Sequence, residues 1–140
     1  MSNKTYEILI KRNKSQLDEK RRILAGLQAQ HAQLKASLDA LNQKRQDEWQ
    51  AMNQQPAYQI ELSFYMHASL KEAERITKAM QDLQQQIDSA LEAVRIAYSE
   101  VSKMEIILEE KIKQQQAEMN RKSQIILDEV AMQMSERQNN

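Results

Sequence analysis

Residues that form turns are almost absent from this sequence. Its 140 residues include one glycine, Gly26, and one proline, Pro56. A compact β or α/β domain needs Gly, Asn-Gly or Pro turns at short, regular intervals, and two such residues cannot supply them. The sequence therefore predicts an all-α protein with very few turns. Because only 4% of the residues are aromatic, it also predicts an elongated molecule without a thick globular core.

The only cluster of helix-breaking residues lies at residues 53–59. Pro56 lacks an N–H donor and disfavours helical geometry at the residue before it. On both sides of this cluster, apolar residues recur at steps of three and four, the spacing that keeps them on one helix face. The two rows fit an antiparallel pair in which facing residue numbers add to 114, as for Leu38 and Ile76. This pattern predicts an antiparallel two-helix coiled-coil hairpin.

The two arms of the predicted hairpin differ in length. We expect a single unit with one helix at about residues 3–52, a turn at about 53–59 and a longer second helix at about 60–138. Antiparallel pairing leaves the second helix beyond about residue 110 without a partner in its own chain. Large apolar residues continue through this last part: Ile112, Met119, Ile125, Ile126, Leu127, Val130, Met132 and Met134. Because helices are stabilised mainly by packing an apolar face, the unpaired part predicts a partner protein.

Charge is balanced over the chain and uneven along it. The 20 Lys and Arg residues equal the 20 Asp and Glu residues in number. Residues 1–22 carry seven basic residues against three acidic ones, and residues 47–110 carry five against twelve. Either these charges are solvated helix faces, or the two ends of the molecule meet different partners. The absence of net positive charge argues against nucleic-acid binding.

No residue pattern in the sequence indicates an enzyme. The absence of cysteine excludes thiolate catalysis and Cys-based zinc sites, and a single glycine cannot form a phosphate-binding loop. His31 and His67 have no second ligand or nucleophile at a suitable spacing. We expect no catalytic, cofactor or metal site. The N-terminus lacks the apolar core of a signal peptide, and no apolar stretch approaches the ~18 residues of a membrane span, so we expect a cytoplasmic protein without direct membrane insertion.

Large aromatic and methionine side chains concentrate around the predicted turn. They are Trp49, Met52, Tyr58, Phe64, Tyr65 and Met66. They can form a small core that closes the hairpin, or an exposed patch of residue types that are enriched at protein interfaces. Six large side chains are more than two thin helices can bury. We therefore expect part of this cluster to be exposed.

Two segments of the second helix suggest a family. They read Glu105-Ile-Ile-Leu-Glu-Glu-Lys111 and Gln124-Ile-Ile-Leu-Asp-Glu-Val-Ala131. A cysteine-free α-hairpin of this length with a longer second helix and these segments resembles the FliJ family of flagellar export proteins. It is also similar to the YscO-type proteins of virulence type III secretion. The resemblance implies a non-enzymatic stalk, similar to the central γ subunit of rotary ATPases.

The resemblance also implies partners and sites. The terminal end would enter and stimulate the hexameric export ATPase, with contacts at Lys11, Arg12, Lys14, Ile112, Met119, Ile126 and Val130. Another part would contact the membrane-embedded export gate, with candidate residues near the turn at Trp49, Phe64, Tyr65, Met66 and Leu70. Export chaperones are further partners that the resemblance suggests. The implied location is cytoplasmic, at the inner face of the bacterial cell membrane through the export apparatus.

Two other functions fit the same pattern. One is a generic oligomeric scaffold that dimerises through its second helix, because the same apolar residues would serve such an interface. The other is a prefoldin-like chaperone subunit, a class that inserts β-hairpins between its helices. Residues 53–59 are too few to form such a hairpin.

Overall fold

The chain forms two long helices joined by one short turn. The computed structural model describes residues 2–139 and places helix α1 at Asn3–Met52, a 3₁₀ turn at Pro56–Tyr58 and helix α2 at Gln59–Asn139. The two helices pack against each other, and residues 2–139 contain no strand. The predicted all-α hairpin with a longer second helix is therefore confirmed.

The turn follows from the chemistry of Pro56. This residue begins the 3₁₀ turn, where a missing N–H donor costs no helical hydrogen bond. Gln55 before it is extended, with φ of −102° and ψ of 108°, as the proline ring requires of the preceding residue. The Gln59 side-chain amide donates to the backbone carbonyls of Asn53 at 2.9 Å and Gln55 at 3.2 Å. These bonds connect the end of α1 to the start of α2.

Internal packing divides the chain into two units. The turn unit is Asp18–Ile96, and the terminal unit is Met1–Leu17 with Ala97–Asn140. Both α1 and α2 contribute to each unit. The organisation as a single unit, with an unpaired last part of α2, stays a prediction.

The core of the turn unit is a single apolar row from each helix. In α2 the buried members are Leu62, Ile76, Ile87 and Ala90, together with Ser69. In α1 the row is half-buried and contains Leu24, Leu27, His31, Leu34, Leu38 and Leu41. Arg45 donates to the Ser69 hydroxyl at 3.3 Å, and these two numbers add to 114, in agreement with the predicted pairing.

The terminal unit has a smaller core. Ile10, Leu17 and Val101 are its buried apolar residues. Beside this core, Lys14 Nζ lies 3.3 Å from a carboxylate oxygen of Glu105. In this unit, α1 and α2 are thus held together by a few buried apolar side chains, with polar contacts at the edge of this core.

Further contacts join the first turns of α1 to α2. Asn3 donates its side-chain amide to Gln115 at 2.8 Å and accepts a bond from Gln115 at 3.3 Å. Lys111 Nζ lies 5.0 Å from the centroid of the Tyr6 ring, within range of a cation–π interaction. Contacting residue numbers in this unit add to 117–119, not to 114. The predicted sum of 114 thus fits the contact between Arg45 and Ser69 in the turn unit and does not fit these contacts of the terminal unit.

Candidate functional site

The last part of α2, residues 112–139, is exposed at every position. We call it the C-terminal segment. Its large apolar side chains are between 45% and 65% exposed. They are Ile112, Met119, Ile125, Ile126, Leu127, Val130, Met132 and Met134. Large apolar side chains that are exposed in this number on one helix are typical of a site that binds another protein.

Four of these residues share one face of the helix. Ile112, Met119 and Ile126 follow each other at intervals of seven, and Val130 lies four residues further on. At 3.6 residues per turn these intervals place them within about 40° of one another around the helix. We call this set the apolar stripe. The α2 helix therefore brings together the four apolar residues that were predicted to contact an ATPase ring.

Pairs of polar residues on the helix surface accompany the stripe. Arg121 donates to Glu118 at 2.6 Å, and this hydrogen bond raises the pKa of the Arg121 guanidinium. Gln124 donates to Asp128 at 3.1 Å. Such pairs at spacings of three and four support an exposed helix only modestly. The stability of the segment as a helix thus depends mainly on what covers its apolar residues.

The three basic residues predicted beside the ring contacts belong to the same unit as the C-terminal segment. Lys11, Arg12 and Lys14 are all exposed in α1. Lys14 is paired with Glu105. Successive residues of a helix point about 100° apart, so Lys11 and Arg12 do not share one face. Lys11 and Lys14 are three residues apart and share a face of α1, and Arg12 points away from that face.

The second candidate site lies in the turn unit and comprises Trp49, Phe64, Tyr65, Met66 and Leu70, which we call the turn patch. Phe64 is 73% exposed, Trp49 48% and Leu70 49%. Trp49 and Met66 line one open groove, whereas Phe64 points about 200° away from Met66 around α2, on another side of this helix. The expected partial exposure of the aromatic cluster is therefore present.

Tyr65 and Met66 are only half-buried. The Tyr65 hydroxyl is buried and has no hydrogen-bond partner among the described residues. Tyr65 thus contributes more to the interior beside the turn than to the free surface. Its aromatic type alone could not distinguish these roles.

Sequence reasoning left out one exposed residue beside the turn patch. Ile60 is 74% exposed and lies four residues before Phe64, on the same face of α2. The spacing of four residues between Ile60 and Phe64 is the sequence feature that indicates that they share this face. Ile60 therefore extends the exposed apolar surface next to the turn.

Neither a metal site nor a membrane span is present in the part of the chain that the structure describes. Residues 2–139 contain no group of three or more His, Asp or Glu side chains that could hold a metal ion. No helix within these residues is long and apolar enough to cross a membrane.

The fold and the exposed surfaces define a class of protein, a two-helix antiparallel hairpin that presents apolar surfaces for contacts with other proteins. A family model described as "Flagellar FliJ protein" matches residues 2–140. The chain belongs to the flagellar FliJ protein family, whose members are components of the flagellar export apparatus. The predicted family is thus confirmed, and the protein takes part in flagellum biogenesis and protein export. No curated protein and no solved structure matches the chain.

Proposed function

We propose that this protein docks onto the hexameric export ATPase through its C-terminal segment and stimulates ATP hydrolysis. The observation that carries this proposal is the apolar stripe, Ile112, Met119, Ile126 and Val130, which is about half exposed on a helix with no buried residue beyond Lys111. Membership of a flagellar export family supports a partner within the export machinery.

The free energy gained by burying the apolar stripe is too small for the stripe to bind the ATPase without other contacts. Full burial of one aliphatic side chain contributes about 1.5–3 kcal/mol, so four half-exposed side chains contribute roughly 4 kcal/mol. Association itself costs at least about 4 kcal/mol in lost freedom of motion. Further contacts must therefore take part. The exposed cations Lys11 and Arg12 belong to the same unit and are candidates for contacts with acidic groups of the ATPase.

The proposed mechanism is a shift in the conformations of the ATPase subunits. A single helix inside a ring of identical subunits makes a different contact with each of them. It thereby stabilises some subunit conformations over others and can favour ring closure, since a ligand shifts an equilibrium by its differential affinity for the two states. No catalytic residue from this chain is needed.

A charge placed on the stripe tests the docking. We expect Met119→Asp to lower the stimulation of the cognate ATPase about tenfold or more, because burying an unpaired carboxylate against an apolar surface is costly. The matched control is Asn120→Asp, which adds the same charge one residue further along, about 100° away from Met119 around the helix. ATPase rates are measured over a range of chain concentrations. Equal stimulation by the two variants would contradict docking through the stripe.

We further propose that the turn patch binds the export gate, which places the protein at the inner face of the cell membrane while it is bound there. Phe64, Trp49 and Leu70 support this role because they are large, apolar and exposed next to the turn. Tryptophan and other aromatic residues are enriched among the anchors of protein interfaces. Contacts with export chaperones, and action in a virulence-type secretion system, stay predictions from the family resemblance.

Removing the exposed aromatic side chains tests this second surface. We expect the double variant Trp49→Ala and Phe64→Ala to lose about tenfold or more in affinity for the cytoplasmic part of the gate, because interface anchors of this type dominate binding. The control is Ile8→Ala, which removes a 60% exposed apolar side chain from the terminal unit. Affinity is measured by titration, with helical content checked by circular dichroism. Undiminished affinity of the double variant would exclude the turn patch.

A further inference from the structure

The single glycine of the chain lies in the interior of a helix. Gly26 falls within α1, which runs without a break from Asn3 to Met52, and in a helix interior glycine is less favourable than any residue except proline. Gly26 does not have a positive φ, so its backbone conformation does not call for glycine. A Cβ atom built at position 26 would meet no atom of α2 within 4 Å. The glycine therefore lowers the stability of α1 at this point, and no close approach of α2 requires it.

The packing of α1 against α2 is thin on the N-terminal side of Gly26. The pairing sum of 114 places Lys20 opposite Val94 and Leu24 opposite Ala90. Lys20 is exposed, so α1 buries no large apolar side chain in the first of these two layers. In the second layer, α2 offers only the methyl group of the buried Ala90. Because hydrophobic stabilisation grows with the apolar area that is buried, both layers hold the helices together less strongly than a layer of two large apolar residues.

An open groove between the helices lies beside these two layers. Ile23 and Leu27 line it from α1, and Ala90 and Ala93 line it from α2, all within the turn unit. Ile23 is 46% exposed. Because the alanine side chains are short, the groove keeps space that larger side chains would fill, and dispersion contacts between the helices are missing there. The groove thus coincides with the thin layers and with Gly26.

The part of α1 nearer to the turn is covered more completely. The same pairing places Leu34 opposite Met80 and Leu38 opposite Ile76, so both layers consist of large apolar residues. Ile76 is buried, and the other three are half-buried. No glycine or proline lies in this part of α1. Residues 34–41 thus serve as a reference for residues 18–26.

We infer that residues 18–26 of α1 open locally: this stretch separates from α2 and loses its helical hydrogen bonds while the rest of the turn unit stays folded. Local openings need less free energy than global unfolding and occur where few buried apolar contacts hold an element in place. The α2 helix contains no glycine or proline and stays continuous opposite the opening. The stretch is therefore a point at which α1 can bend without unfolding of the hairpin.

Hydrogen exchange of the backbone amides tests this inference on the chain alone, so the result does not depend on the proposed contacts with the ATPase or the gate. After correction for intrinsic rates, we expect the amides of residues 18–26 to exchange at least about tenfold faster than those of residues 34–41, because their opening needs less free energy. Low concentrations of urea should change the rate in residues 18–26 little, because a local opening exposes little new surface. Equal rates in the two stretches, with an equal response to urea, would overturn the inference.

Two substitutions separate a local opening from a global one. Gly26→Ala should slow exchange in residues 18–26 about fivefold, because alanine is favoured over glycine in a helix by about that factor and position 26 has room for a Cβ atom. The control, Ser37→Ala, raises helix propensity at an exposed position of the reference stretch. It should slow exchange in residues 34–41 about twofold and leave residues 18–26 unchanged. Slowing of both stretches by Ser37→Ala would show that they open together and would refute the local opening.

Discussion

A chain that ends at Lys111 is expected to lose all stimulation of the export ATPase while its two helices stay packed together. The truncation removes all eight exposed apolar residues of the C-terminal segment and none of the buried ones, because Ile10, Leu17 and Val101 are retained. The amide pair between Asn3 and Gln115 is lost from the contacts with α1. ATPase rate and hexamer content are measured with saturating full-length and truncated chain, and helical content by circular dichroism.

The control for this truncation is a chain that ends at Ser135. It keeps every large apolar residue of the C-terminal segment and loses only polar residues. We expect it to stimulate the ATPase as the full-length chain does. Stimulation by the chain that ends at Lys111 equal to that of the full-length chain would contradict the assignment of the C-terminal segment.

The second large effect concerns the stability of the turn unit. We expect Ile87→Ala to lower the free energy of unfolding by about 2–3 kcal/mol, because removing a buried aliphatic side chain loses its transfer free energy and leaves a cavity. Ile87 is 6% exposed. The measurement is urea denaturation followed by circular dichroism, with the midpoint and slope determined for each variant.

The matched control uses the same substitution on the same helix. Ile96 lies in the turn unit and is 51% exposed, so Ile96→Ala should change the free energy of unfolding by less than about 0.5 kcal/mol. Equal losses in the two variants would show that the row with Ile87 does not form the core. A loss confined to Ile87→Ala would support the packing described for α1 and α2.

Much of the fold could be predicted because its signals are local. Pro56 and its neighbours indicated the position of the turn, and α1 ends at Met52. The periodic spacing indicated which residues face the other helix, including Ile76 and Ile87. Lys20 lies four residues before Leu24, on the same side of α1 as the half-buried row, and is nevertheless exposed, because a lysine side chain can carry its ammonium group out to water beside an apolar row.

The candidate sites were less predictable. The sequence indicated that large apolar residues continue beyond about residue 110. It also indicated that the first helix is too short to cover them. It did not indicate that Tyr65 would bury its hydroxyl while Phe64, the residue beside it, would be 73% exposed. Both are aromatic residues near the turn, and their difference arises from the direction in which each leaves α2. Exposure of this kind depends on how the neighbouring helix is placed.

Ile87 and Ile96 illustrate what each level of description decides. By itself, the sequence determined that both residues lie in one long helix, because no glycine or proline interrupts α2 and the apolar spacing is helical. The spacing of the apolar residues also indicated that Ile87 faces the first helix. Only the tertiary structure decided how completely each residue is covered, with Ile87 6% and Ile96 51% exposed. The physical reason is that helix formation depends on hydrogen bonds between residues four apart, whereas burial depends on atoms contributed by α1, which are remote in sequence.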